Sequence, residues 1–407
     1  MTSTPAWLKS ILTRPKAATI SVTAPEPAPS SPSAAPLALL AAALRAAHGA
    51  SPDELAAAIA DNKARPDLDP ELVDEDGFPI SSARCADAGD EAVSEEIREW
   101  LVLSGMAELQ LGEAHWRALT LGTAVMRELA GEALAQLLPA EGAPPQLRLL
   151  ALLPTDWTPQ QRQAAGLWFN HAVAQSGWPV AYLGLIDVAR DATAASSIRQ
   201  CAADSQLPQE RVATLLIACA SHIAQEAVEQ WAASAALSTR ARSQGLVPGE
   251  GAAGLLLTSL ESARQVADSM FAQLYPLLET RRQVSIDSAK RAETPRITAL
   301  AERAVQAGGV QLPDVACLVA DTDHRNGRAL ELMGLACAAL PQLDTTTDVA
   351  RTGVATGSCG AVSFLCALAL ARNAVLLNQA PALFMSNDDP FTCTMALVGL
   401  PLPAKAA

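Results

Sequence analysis

The sequence predicts an α/β fold of two related halves behind a helical N-terminal region. Three observations predict it. From residue 146 onward, short apolar runs alternate with helical stretches. That alternation comes in two successive blocks, as it would in a duplicated α/β unit. Half of the 407 residues are hydrophobic and only 18% are charged, which supplies a large core and argues against disorder over most of the length.

Taken in order, residues 1–35 divide in two. Trp7, Leu8, Ile11 and Leu12 can share one face of a short helix, either a frayed terminus or a docking peptide. Residues 17–35 are rich in Pro, Ser and Ala and read as a flexible linker. Residues 36–140 read as a helical region. Pro36 opens the apolar run 37–48 as a helix that Gly49 stops. Ser51-Pro52-Asp53-Glu54 then reads as a cap with proline at the first helical position. The polar stretch 63–90, with Pro66, Pro70, Pro79 and the run Asp74-Glu75-Asp76, reads as a loop. Helical spacing returns at 90–104 and 112–137.

The first α/β half spans 141–262. Its apolar runs 147–153, 179–186, 214–219 and 254–260 read as strands buried on both faces, with helices at 158–176, 191–204 and 223–236. A helical connection, 263–312, carries Arg281, Arg282, Lys290, Arg291 and Arg296. This basic cluster reads as a docking surface for an acidic partner or as a solvated helical face. The second half, 313–407, has strands at 315–320, 382–386 and 391–398 and helices at 327–339 and 360–378. Trp157, Trp168 and Trp178 read as core anchors.

Lys+Arg total 29 against 43 Asp+Glu, a formal charge of −14. Such a chain repels nucleic acid and anionic lipid, and suits an acidic carrier protein only where positive charge gathers locally. No apolar run of membrane-spanning length without charge is apparent, and Met1–Lys16 lacks the apolar stretch of a secretory signal. The eight cysteines, at 85, 201, 219, 317, 337, 359, 366 and 393, form no C-x-x-C pair and mostly lie in apolar runs. They read as free thiols of a cytoplasmic protein, with the Ala, Leu and Arg enrichment pointing to a bacterium. No H-x-x-x-H or Cys/His cluster occurs, so no metal is expected.

Gly249-Glu250-Gly251-Ala252-Ala253-Gly254 matches G-x-G-x-x-G. Dinucleotide binding needs that motif after a strand and opening a helix. Here it follows polar sequence and opens an apolar strand, so no cofactor is expected. The longer stretch ALSTRARSQGLVPGEGAAGLLLTSLESARQ (236–265) resembles the β-ketoacyl-[acyl carrier protein] synthases of the thiolase fold. Three further segments support that likeness: the strand-like 212–221, Val319-Ala320-Asp321-Thr322 with Glu331 eleven residues after Ala320, and Gly357-Ser358-Cys359-Gly360-Ala361 leading into an apolar helix. The resemblance implies a thiolase-like layered αβαβα fold, commonly dimeric through the first half.

It also implies a Claisen condensation site: a cysteine at a helix N-terminus, two residues that are usually histidines, and a supporting lysine. Carried onto this chain, the nucleophile falls on Ala194, the first histidine on Ala320, the second on Ser358 and the lysine on Gly353. All four lack their chemistry, and the resemblance then implies a catalytically inactive member. Such a pseudo-condensing enzyme would act as an adaptor, chaperone or chain-length partner, with a protein, an acyl group or an acyl carrier protein as ligand. One setting is an adaptor for a secreted lipase-type effector of type VI secretion. The alternative is an acyltransferase with a displaced nucleophile: Cys359, at a helix start where a lowered thiol pKa is physically sensible, or Cys219 coupled to His222. Cys201, inside a helix, reads as core. His324, in Asp321-Thr322-Asp323-His324-Arg325-Asn326, reads as part of a solvated loop rather than a site.

Overall fold

The computed structural model describes residues 35–401 except 139–142, 189–192, 207–210, 266–269 and 289–292. The docking-peptide and linker readings of 1–34 lie outside the described residues. The strands are β1 (Leu37–Ala46), β2 (Asp67–Val73), β3 (Pro79–Ser82), β4 (Gln146–Leu152), β5 (Leu183–Val188), β6 (Val212–Ser221), β7 (Glu250–Ser259), β8 (Ala272–Leu274), β9 (Leu278–Arg281), β10 (Cys317–Ala320), β11 (Val349–Arg351), β12 (Ala382–Ser386) and β13 (Thr392–Gly399). The helices are α1 (Pro52–Ala60), α2 (Glu91–Leu103), α3 (Glu113–Leu137), α4 (Pro159–Gln175), α5 (Ala194–Asp204), α6 (Gln225–Ala233), α7 (Leu260–Gln265), α8 (Thr294–Ala307), α9 (Asn326–Ala339), α10 (Thr352–Thr356) and α11 (Ala361–Asn378).

One long sheet runs β11-β10-β12-β13-β8-β1-β7-β6-β4-β5, with β9 also on β13. In the first half β4 pairs parallel with β5 and β6, and β7 runs antiparallel to β6 and β1. In the second half β10 pairs parallel with β11 and β12, and β13 runs antiparallel. Each half is thus a parallel set closed by an antiparallel strand. Helices α5 and α11 share one hydrophobic cluster with strands of both halves. Helices α3 and α4 cover the outer face of the first half, and α8 and α9 that of the second. This is the thiolase-like mixed α/β architecture that the resemblance implied. Helix α11 is, among the described residues, the one helix long and apolar enough to cross a membrane, and most of it is buried in this core.

The run 37–48 departs from expectation: it is a central strand, not a helix. Leu37, Leu39 and Leu44 enter the cluster shared with α11, while Ala38, Leu40 and Ala43 face α3. A run that is apolar on both sides carries no period to separate a buried strand from a buried helix, and pairing with β7 and β8 outweighs the helix propensity of its alanines. The register slips between Leu39 and Ala41. There Arg372 of α11 donates to the Leu39 and Leu40 carbonyls.

Two further stretches differ. Within 63–90 lies the hairpin β2–β3, and within 263–312 lie β8 and β9 between the end of α7 and α8, so that connection is only partly helical. The basic cluster does not form one helical face: Arg281 and Arg282 end or follow β9, Arg282 is buried, and Arg296 pairs with Glu293 on the surface. Lys290 and Arg291 lie outside the described residues. The Ser51 cap forms as expected, its hydroxyl accepting from the Glu54 N–H at 3.2 Å. Trp157, Trp168 and Trp178 are buried.

Candidate functional site

Two glycine-containing segments, 247–251 and 353–360, meet each other and the segment 321–323 near the ends of β7, β10 and β11. The Ser358 N–H donates to the Val247 carbonyl at 2.8 Å, and Pro248 bridges to Ser358. Gly249 sits so close that a Cβ there would overlap the Thr356 carbonyl oxygen. Gly353 is equally constrained: a Cβ would overlap the Asp321 carbonyl oxygen. Gly357 and Gly360 flank Ser358-Cys359 with φ of 65° and 60°, the left-handed region that glycine adopts without strain. Ala320, Gly353 and Ser358 are therefore brought into one neighbourhood. Ala194 stands at the first position of α5, capped by Thr193, whose hydroxyl accepts from the Ser196 N–H at 3.1 Å. It is buried in the same apolar cluster as Cys359.

The candidate thiols are placed as follows. Cys359 is buried just before α11, its Sγ 3.7 Å from the Ser363 hydroxyl, and burial pushes its thiol up to about 11. The lowered pKa expected of a helix start is absent because the sulfur points into the core rather than at free N–H groups. Cys219 and His222 do not form a couple. The Cys219 sulfur lies against Gly122 and beside Phe169, on the α3–α4 side, and burial pushes it up to about 12. His222 stacks on Trp231 at 4.7 Å between ring centroids, and burial lowers its pKa. A thiolate–imidazolium pair would shift both the other way. Cys201, as read from sequence, packs in the core, and burial raises it to about 11. Burial likewise raises Cys85, Cys317, Cys366 and Cys393, while Cys337 is exposed on α9.

The segment 321–326 is not a solvated loop. Asp321, Thr322 and Asp323 are buried, His324 is half-buried, and burial lowers the His324 pKa. Around them lies an ionic network that sequence reasoning missed. Arg282 forms a two-pronged pair with Glu331, at 3.0 and 2.6 Å. Asn387 donates to Glu331 at 3.1 Å and accepts from Thr322 at 2.8 Å. Arg325 pairs with Asp323 and Asp388, and Arg328 with Asp287. Arg351 donates to the Asp323 carbonyl at 2.5 Å. Asp321 accepts from the Ser386 hydroxyl at 2.5 Å and the Asn387 N–H at 2.8 Å. Burial, reinforced by the Asp388 carboxylate, pushes Asp321 up to about 7. The available signal was the close packing of acids and arginines from 321 to 331. Among the described residues no group of three or more His, Cys, Asp and Glu is arranged to hold a metal ion.

The G-x-G-x-x-G stretch has a structural role. Most of it lies in β7, where Glu250 is wholly buried and accepts from Arg117 at 2.8 and 2.6 Å, Ser221 at 2.9 Å and the Cys85 N–H at 2.7 Å.

No protein-family model matches this chain, and no curated protein matches it. Solved structures do. The ishigamide ketosynthase/chain length factor is 15% identical, with 90% of this chain and 99% of that one covered, at a TM-score of 0.58. The ketosynthase from module 6 of the bacillaene synthase of Bacillus subtilis 168 is 12% identical, with 90% and 72% covered, at 0.60. A type II PKS ketosynthase in complex with its acyl-carrier protein (AntDE:AntF) is 11% identical, with 91% and 100% covered, at 0.62. At these identities the likeness is one of fold: the chain has the thiolase-like fold of the ketosynthases.

Proposed function

We propose that this ketosynthase-fold chain is non-catalytic and works by binding another protein, as an adaptor, chaperone or chain-length partner. One observation carries the reading. Where a nucleophile would stand at the start of α5 there is the methyl group of Ala194, and the sulfur that shares its cluster near the glycine segments, Cys359, is buried with its pKa raised. Gly353 adds support, since its packing against the Asp321 carbonyl leaves no room for a lysine side chain. Without nucleophile and base together, acyl transfer loses most of its rate. Among the fold neighbours, one structure pairs a ketosynthase with its acyl-carrier protein and another is a ketosynthase/chain length factor. These favour a protein partner, an acyl carrier protein included. A secreted effector of the lipase type is a narrower form of the same proposal, and a homodimer through the first half belongs to it as well.

The test is thiol reactivity in the native protein. Iodoacetamide with mass spectrometry is expected to label the exposed Cys337 first and to spare Cys359 and Cys219 until the protein is unfolded. Rapid native labelling of Cys359 or Cys219, or an acyl adduct on either, would establish the displaced-cysteine acyltransferase instead. Sedimentation velocity at twice the chain mass supports the homodimer, and a monomer removes it.

A further inference from the structure

The hairpin β2–β3 buries one face and, among the described residues, leaves the other exposed. Leu72 and Ile80 pack inward with Ile223, Val228 and Leu237. Asp69 and Ser82 also face in, where Asp69 pairs with Arg84. The register sets Leu68 opposite Ser81 and Val73 opposite Pro79. The outer face accordingly shows Leu68, Pro70, Pro79 and Ser81 to solvent, with Phe78 at the turn. Leu68 is 71% and Phe78 66% exposed. Exposed apolar side chains of this size on a polar rim mark a contact surface.

The rim is acidic. Between Arg65 and Arg84 stand Asp67, Asp69, Glu71, Asp74, Glu75 and Asp76, and no lysine or arginine. Arg84 takes up Asp69 and Glu71. Asp67, Asp74, Glu75 and Asp76 form no salt bridge among the described residues. Pro70 and Pro79 each remove an N–H from the ribbon, which makes its edges poor templates for an added strand. The face, not the edge, is the element available for contact.

We propose that this face docks a basic, apolar-anchored segment of a partner protein. Its lysines or arginines would meet Asp67 and Asp74–Asp76, and its apolar side chains would lie across Phe78 and Leu68. Charge selects that occupant. A second copy brings the same acidic ribbon and a net charge of −14, and nucleic acid and anionic lipid are repelled. The inference rests on the protein-binding reading above and adds the place and charge of the partner.

The probe is a fluorescein-labelled amphipathic peptide of lysine and leucine, read by anisotropy at about 50 mM and about 300 mM salt. Carbodiimide cross-linking with mass spectrometry maps where it sits. The expected result is salt-weakened binding with cross-links at Asp74–Asp76. Phe78→Ser with Leu68→Ser, and separately Glu75→Gln with Asp76→Asn, should each weaken binding at least about tenfold at unchanged Tm, since all four side chains lie at the surface. No binding, cross-links elsewhere, or affinity untouched by either variant overturns the proposal. The cysteine result is independent. Inert thiols with an unoccupied ribbon sink only the docking inference, and a reactive Cys359 with the peptide seated on the ribbon sinks only the non-catalytic reading.

Discussion

Each half of the molecule buries a carboxylate deep in the protein, and the two are treated in opposite ways. Glu250, in the first half, is met by the Arg117 guanidinium, a hydroxyl and a backbone N–H. Asp321, in the second, has a hydroxyl and a backbone N–H but, among the described residues, no guanidinium bonded to it, and it faces Asp388 and Asp323. Similar burial therefore accompanies a closed ionic clamp at one site and a carboxyl with a raised pKa at the other. The nearby arginines are committed elsewhere: Arg282 to Glu331, Arg325 to Asp323 and Asp388, Arg328 to Asp287. Burial is what raises Asp321, and the arginines around it are bonded to other carboxylates, whereas Arg117 is bonded to Glu250 itself.

The clamp should show the largest effect. Arg117→Ala strands Glu250 in the core and is expected to cost about 3–5 kcal/mol of stability by denaturant titration. Arg117→Met combined with Glu250→Leu should recover most of that loss, because it removes the charge along with its partner. A single substitution costing less than about 1 kcal/mol would break the contrast between the halves.

Asp321 should show itself through pH. Its folded value, about 7, lies above its ordinary value of 3.8. The folded protein therefore holds a proton that the unfolded chain releases between those two values. Stability from this group is highest at acid pH, falls as pH rises through that window, and stays at the lower level above about 7. Asp321→Asn keeps an acceptor for the Asn387 N–H and cannot ionise. The variant should gain on the wild type by about 2 kcal/mol between pH 5 and pH 8, as read by thermal unfolding across pH. Parallel pH profiles for the two proteins would mean that Asp321 ionises freely in the fold.

These two sites were unequally legible. Alternation of apolar runs and helices revealed most of both halves, because strands such as β6 and β12 are compact, apolar and bounded by polar sequence. Strand β1 was missed because both of its faces are buried, and β8 and β9 because three or four residues carry no period. The glycine segments were visible as motifs, yet their meeting with 321–323 depends on long-range packing. The ionic pairs were hidden for the same reason: Arg117 and Glu250 lie 133 residues apart, and Arg282 and Glu331 lie 49 apart. Only the mixed acids and arginines of 321–331 hinted at a buried network, and in sequence they look like a solvated loop.

Arg296 gives the smallest expected effect and sharpens the comparison from outside. Like Arg117 it carries a short contact to a carboxylate, 3.1 Å to Glu293, three residues earlier. Unlike Arg117 it lies on the surface, with both partners more than a third exposed. Water already solvates each charge there, so the pair replaces hydration it never lost and must also hold two flexible side chains in place. Arg296→Ala is expected to change stability by less than about 0.5 kcal/mol, and that little should vanish at high salt. If its loss approached that of Arg117→Ala, contact distance rather than desolvation would govern these pairs, and the contrast between Glu250 and Asp321 would need another cause.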